Sequence, residues 1–233
     1  MRFRVLEALH GWREFLKEYA VVVLGVLTAL ALDQLVESAH DRRLARDAHE
    51  AIDQELQTDL DRVAYRARQQ SCNVKRLEEI EALLARWHGD GAFPAGLKIG
   101  FPGDVGLVDQ RWQANLASGR FSEESPQEQT DQAGLYTLIH VIDMVENKEI
   151  DYWIQLRTIE LGSRTLSLAS KPMIAEALVR ARAEGEAING LSAALLGSLR
   201  TAGSGRPGMT PNRDYLVAYP GTTCEPMRKT TSL

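Results

Sequence analysis

The chain is poor in the features that usually announce a function. Aromatic residues make up 6% of it, too few for a platform on which bases stack, and a net charge of −5 leaves no basic stripe to neutralise phosphates. Nucleic acid is therefore excluded as the main partner. Only two cysteines occur, and they do not form a Cys-x-x-Cys pair. His-Glu-x-x-His, Gly-x-Ser-x-Gly and phosphate-loop patterns are missing, so no catalytic residue, metal or cofactor is assigned and the chain is not expected to be an enzyme. No internal repeat is visible. The eight prolines are confined to 94–102, to 126 and 172, and to 207–226, leaving long stretches free for helix. What is there is a chain of 233 residues, 44% hydrophobic and 25% charged: long enough for one ordinary domain, and too apolar for its bulk to be disordered.

Ala20–Leu32 is 13 residues without a charge, short of the about 20 that a membrane-spanning helix normally takes. Extended to Tyr19–Val36 it reaches 18 residues, roughly 27 Å at about 1.5 Å per residue. The extension takes in Asp33 near the far interface, where a carboxylate reaches headgroups or a neighbouring chain; at the bilayer centre it would cost about 2.5–3.5 kcal/mol. The segment is apolar all round rather than along one stripe, which favours an anchor over the core helix of a soluble protein. A cleaved signal peptide is a third reading. Ala29-x-Ala31 is a suitable small-residue pair, but Glu7, Glu14 and Glu18 break up what should be a compact basic region.

Arg2, Arg4, Arg13, Lys17 and the α-amine precede the apolar run, and Arg42, Arg43 and Arg46 follow it. This small basic excess places the N-terminus inside and the domain outside, that is, periplasmic on a bacterial inner membrane. Before the run, Val5, Leu9, Trp12, Leu16 and Tyr19 share a helical face, with Arg4, Glu7, Glu14 and Glu18 opposite. Residues 1–18 are thus either an amphipathic helix on the bilayer surface or a straight extension of the anchor. Gly25 and Ala29 are spaced for close helix approach, and Asp33 continues their face, with Gln34 beside it to hydrogen-bond across a helix-helix interface.

Beyond the anchor, Leu44, Ala48, Ile52, Leu56, Leu60, Val63, Ala67, Val74, Leu77 and Leu84 recur at helical steps up to about Trp87. A break is expected near Ser71–Asn73, where helix propensity drops, and a stop at Gly89-Asp90-Gly91. A loop over 89–106 leads to a short helix at Leu107–Ser118, whose Trp112 should pack on the long helix. Ser125-Pro126-Gln127-Glu128 is a capping box, opening a helix that runs to about Ser170, with Gly162 a point at which it ends or loosens. Pro172 opens the last helix, with Ile174, Leu178, Ala181, Ile188, Leu191, Leu195 and Leu199 in register. Residues 201–233 read as an irregular tail, and no strand pattern is seen. The expected fold is all-α, a transmembrane helix followed by an antiparallel bundle (37–200) with one long helix.

Cys72 in the long helix and Cys224 in the tail suit one disulfide in an oxidising compartment, or two separate thiols in a reducing one. A bridge would pin the tail across the bundle. Five histidines are scattered, and Glu37-x-x-His40 is a lone pair of potential metal ligands, read as a solvated face. Asp59, Asp61, Glu78, Glu79 and Glu81 read as ordinary helix-surface acids. Trp112 and Tyr136, with Tyr152 and Trp153, line a pocket or pack in the core. Arg42, Arg43 and Arg46 meet lipid phosphates or pair with Asp41 and Asp47.

The run Glu18–Gln34, and Trp112-Gln113-Ala114-Asn115-Leu116-Ala117-Ser118-Gly119 followed by Leu135-Tyr136, resemble segments of an uncharacterised family of proteobacterial single-anchor membrane proteins. The resemblance covers the anchor well and the remainder loosely. It implies an anchored helical extramembrane domain and carries no activity or site residue. Two functions are in view. One is a non-enzymatic interaction protein that self-associates or serves as accessory subunit of a larger membrane complex, its partners being the lipid bilayer and another membrane protein or itself. The other is a periplasmic bundle that binds a small molecule and acts through a partner.

Overall fold

The computed structural model describes residues 5–87, 97–103, 106–119, 125–161, 166, 168–201, 209–215 and 222–227, with side chains except at 5–10, 161, 200 and 201. The Gly89-Asp90-Gly91 stop, Pro94, His88, Arg2 and Arg4 lie outside these residues, as do the side chains of Val5, Glu7, Leu9 and His10. The fold is all-α: α1 Val5–Arg86, α2 Gln110–Ala117, α3 Pro126–Leu156 and α4 Lys171–Thr201, with 3₁₀ turns at Arg157–Leu161 and Leu168–Ser170. The chain divides into two units, Met1–Glu50 and Ala51–Leu233. The fully buried side chains start at Ile52, in the second unit.

The first unit holds the N-terminal half of α1. That helix is long and apolar enough to cross a membrane by length and composition, with an 18-residue window of mean hydropathy 2.0, none of it buried. Val21, Leu24, Leu27, Leu30, Leu35 and Val36 are all more than half exposed. Helix α1 is continuous through residues 5–36, so the segment before the apolar run continues the same helix.

In the second unit α1 packs with α3 and α4. Ile52, Leu56, Leu60 and Val63 meet Leu135, Ile139 and Ile142 of α3 and Leu195 and Leu199 of α4. Further along, Leu77, Ile80 and Leu84 meet Trp153 and Leu156 of α3 and Ile174, Leu178 and Ala181 of α4. The pairing order makes α1 parallel to α3, with α4 antiparallel to both, so the three apolar stripes close on two clusters along the bundle. The expected register of α4 is the one observed.

Local signals explain most element ends. Ser125 Oγ accepts from the Glu128 N–H and Glu128 reaches back to the Ser125 N–H, completing the capping box, with Pro126 in the first turn. Gly119 follows α2 with φ of 74°, the left-handed conformation a helix end favours and only glycine adopts without strain. Three boundaries differ from expectation. Helix α2 starts at Gln110 rather than Leu107, α3 stops at Leu156, short of both Gly162 and Ser170, and α1 does not break at Ser71–Asn73. The first two reflect tertiary hydrogen bonds described below. At Ser71–Asn73, Cys72 is tied to Cys224 and Asn73 accepts from the Thr223 hydroxyl, so side chains that compete with the helix elsewhere are engaged by the tail.

Candidate functional site

The C-terminal end of α1 carries a clamp built around one side chain. Arg76 lies on the buried face of the helix, 3% exposed. Its guanidinium donates to the carbonyls of Lys98 (2.7 Å), Ile99, Thr223 (3.1 Å) and Glu225, and its Nε donates to Glu79 at 3.0 Å. All five N–H donors of the arginine are thereby used. The loop 97–101 and the tail 222–227 are thus tied to the same helical turn. Thr223 N–H donates to the Phe101 carbonyl at 3.0 Å and Lys98 N–H to the Met227 carbonyl at 2.7 Å. Glu160, in the 3₁₀ turn after α3, accepts from Ile99 N–H (2.7 Å) and Gly100 N–H (3.3 Å). Arg157 bonds Glu160 and lies over the Phe101 ring at 4.5 Å. These contacts are the physical reason α3 ends early: its last residues turn to hold the loop.

Cys72 and Cys224 are disulfide-bonded, joining α1 to the tail across 152 positions of sequence. Residues 209–215 also lie against α1: Gln57 donates to the Thr210 carbonyl, Asn212 N–H to Asp61, and Arg68 to the Tyr215 carbonyl. The tail is irregular, as expected, but its described parts are docked. Beside the disulfide a groove of about 710 Å³ opens between α1 and residues 223–227. Lys75, Glu79 and Arg86 line one wall, and Glu225, Pro226 and Met227 the other. Its lining mixes both charges with apolar surface, which suits a neutral or zwitterionic amphiphile better than a simple anion.

A second cluster seats the segment before α2. Glu55 accepts from Arg111 N–H (2.7 Å) and Trp112 N–H (3.3 Å), so a carboxylate from α1 takes the place of the N-cap that Asp109 does not provide. Asp59 accepts from Val108 N–H at 3.2 Å and Glu146 from Gly106 N–H at 3.4 Å. Arg62 donates to the Gly106 carbonyl. The local helix start is therefore set by acids of other helices. Asp59 is fully buried, not a surface acid as its position suggested. Desolvation raises its carboxyl from 3.8 to about 7, against the opposing Val108 N–H and Arg62; Glu55 and Asp109 add to the rise.

Trp112 and Tyr136 come together as rings stacked 4.7 Å apart, both buried, and the Tyr136 hydroxyl donates to Glu55 at 2.8 Å. The rings proposed to line a pocket are packed face to face, and the groove lies elsewhere. Removing the hydroxyl with Tyr136→Phe is expected to cost about 1.5–3 kcal/mol, the usual range for a hydrogen bond to a charged acceptor. Urea unfolding of the two chains would measure it, and a change below half a kcal/mol would show that Glu55 is held by the α2 N–H groups alone.

Gly25, Ala29, Asp33 and Gln34 are exposed on α1 in the first unit, and space beside Gly25 is open. Glu37 and His40 are exposed on the same helix. Among the described residues no group of three His, Cys, Asp or Glu could hold a metal. Sequence reading missed Arg76, Glu55 and the buried pair Arg66–Glu149. The available signal was positional: Glu55, Asp59 and Arg76 each directly precede a core leucine or follow the core register by one residue. No protein-family model, curated protein or solved structure matches this chain. The resemblance at Glu18–Gln34 therefore identifies no family, and the layout of a long apolar N-terminal helix followed by a helical domain rests on the fold alone.

Proposed function

We propose that this chain is a non-enzymatic, membrane-anchored interaction protein whose apolar helix spans a bilayer and meets a second helix, either its own copy or a subunit of a larger complex. The observation that carries the reading is the apolar window of α1, none of which is covered by the chain's own fold. Water would penalise such a surface, whereas lipid or another helix would not. Trp12, Phe15 and Tyr19 form a ladder at ring distances of 5.8 and 6.3 Å just ahead of the run. Aromatic side chains at that position suit the headgroup level. Gly25, Ala29, Asp33 and Gln34 supply small and hydrogen-bonding groups for a helix partner. The Cys72–Cys224 disulfide supports an oxidising compartment for the domain, hence an N-terminus in the cytoplasm and a periplasmic bundle.

Crosslinking in native membranes tests this reading. The chain is expected to stay with the membrane after alkaline extraction and to crosslink to itself or to one discrete partner. Gly25→Leu should reduce that crosslinking while leaving membrane retention unchanged. A chain extracted at alkaline pH, or one that remains a lone monomer, would sink the proposal. The groove beside the disulfide favours one alternative, a periplasmic bundle that binds a small amphiphile and acts through a partner.

A further inference from the structure

We propose that the Cys72–Cys224 disulfide is a thiol–disulfide exchange site in the folded protein, with Cys224 the sulfur attacked and a dithiol protein or small dithiol as the co-reactant. Three observations carry it. Cys224 is exposed while Cys72 is half-buried, so Cys224 is the more open of the two to an incoming thiolate. Both cysteines form part of the lining of the groove, which provides space of about 710 Å³ for the attacking group. The backbone around Cys224 is held by bonds that do not depend on the disulfide. Arg76 takes the carbonyls of Thr223 and Glu225 on either side of it, the Thr223 N–H is bonded to Phe101, and the Thr223 hydroxyl to Asn73.

The step is a two-electron exchange. A thiolate of the reductant bonds to Cys224 Sγ, the Cys72–Cys224 bond breaks, and the Cys72 sulfur leaves with the electron pair and takes up a proton. Lys75, three residues on along the same helix, lines the groove with the two cysteines, as do Glu79 and Glu225. The second thiol of the reductant then attacks its own mixed-disulfide sulfur. Cys224 departs and is protonated, and the reductant ends as a disulfide. The product is a Cys72–Cys224 dithiol whose two sulfurs stay adjacent, because the Arg76 clamp still holds the tail. The pair is then set to re-form by intramolecular exchange with an oxidised partner.

The test uses the full chain in mild detergent. Reduced glutathione is added without denaturant, the reaction is stopped with iodoacetamide, and the peptides are mapped by mass. Glutathione is expected on Cys224 and the iodoacetamide adduct on Cys72, with a preference of at least about tenfold set by access to the attacked sulfur. The rate should be insensitive to low urea, and the helical circular dichroism should survive full reduction with dithiothreitol. Removing the reductant and adding oxidised glutathione should restore the bridge without dimers. The proposal is overturned if reduction proceeds only as fast as urea-accelerated global unfolding, if glutathione is found mainly on Cys72, or if reduction melts the bundle.

Discussion

Asp59→Asn is expected to leave stability near pH 4 almost unchanged and to raise it near pH 8 by up to about 4 kcal/mol, the energy equivalent of moving a carboxyl from 3.8 to about 7. The sign follows from proton uptake. Between pH 3.8 and about 7 the folded chain keeps a proton on Asp59 that the unfolded chain releases, so stability falls as pH rises through this window and the cost is complete above it. The cause is visible in the packing. Asp59 has no exposed surface, and its Oδ2 has no hydrogen-bond partner among the described residues. The charged groups around it oppose one another: Arg62, 3.9 Å away, favours ionisation, while Glu55 and Asp109 disfavour it. Asparagine keeps an acceptor for Val108 N–H and cannot ionise. Urea unfolding of both chains at pH 4 and pH 8 is the measurement. Equal stabilities of the two at pH 8 would mean that Asp59 ionises freely in the folded protein.

Arg66→Met should be among the most damaging single changes in the bundle, costing about 3–5 kcal/mol, because it leaves a buried carboxylate without its cation. Arg66 of α1 and Glu149 of α3 are 2% and 1% exposed, and one terminal nitrogen of the arginine lies 2.8 Å from both carboxylate oxygens. Gln70 and Trp153 are the neighbouring hydrogen-bond partners, at 3.0 and 3.3 Å. Helix α4 closes over the pair at Gly185, where a Cβ would come within 3.0 Å of Glu149 Oε1. The double change Arg66→Met with Glu149→Leu should recover most of the loss, since two apolar side chains can replace a buried ion pair at little net cost. Thermal melts of the four chains form a double-mutant cycle; a double variant as unstable as the single one would show that the pair's shape rather than its charge is what the core needs.

How much of this was legible beforehand follows the range of the interaction. The capping box at Ser125–Glu128, the opening of α4 beside Pro172 and the apolar stripes of α1, α3 and α4 depend on neighbours within one or two helical turns, and each was read correctly. The Cys72–Cys224 bond was one of two open readings, decided by where the tail lies. The end of α3 was legible only in part: Gly162 marked the neighbourhood, but the change to a 3₁₀ turn after Leu156 goes with Glu160, which is drawn to the backbone of Ile99 and Gly100, about 60 residues away in sequence. Asp59 could not be told from a surface acid either. A carboxylate one residue from a core leucine faces either solvent or the seam, and only the docking of Val108 against α1 decides which.

The sequence by itself determined the all-α class, the apolar run of α1 and the three core stripes, because composition and helical period act locally and need no partner to be read. The tertiary structure alone decided which charged residues went inside. Arg76, Arg66 with Glu149, and Glu55 with Asp59 are buried because loops, tails and helices distant in sequence bring them carbonyls, counter-charges and N–H groups. A charged side chain enters a core only when such partners meet it there, and no periodicity in its own helix records where they come from.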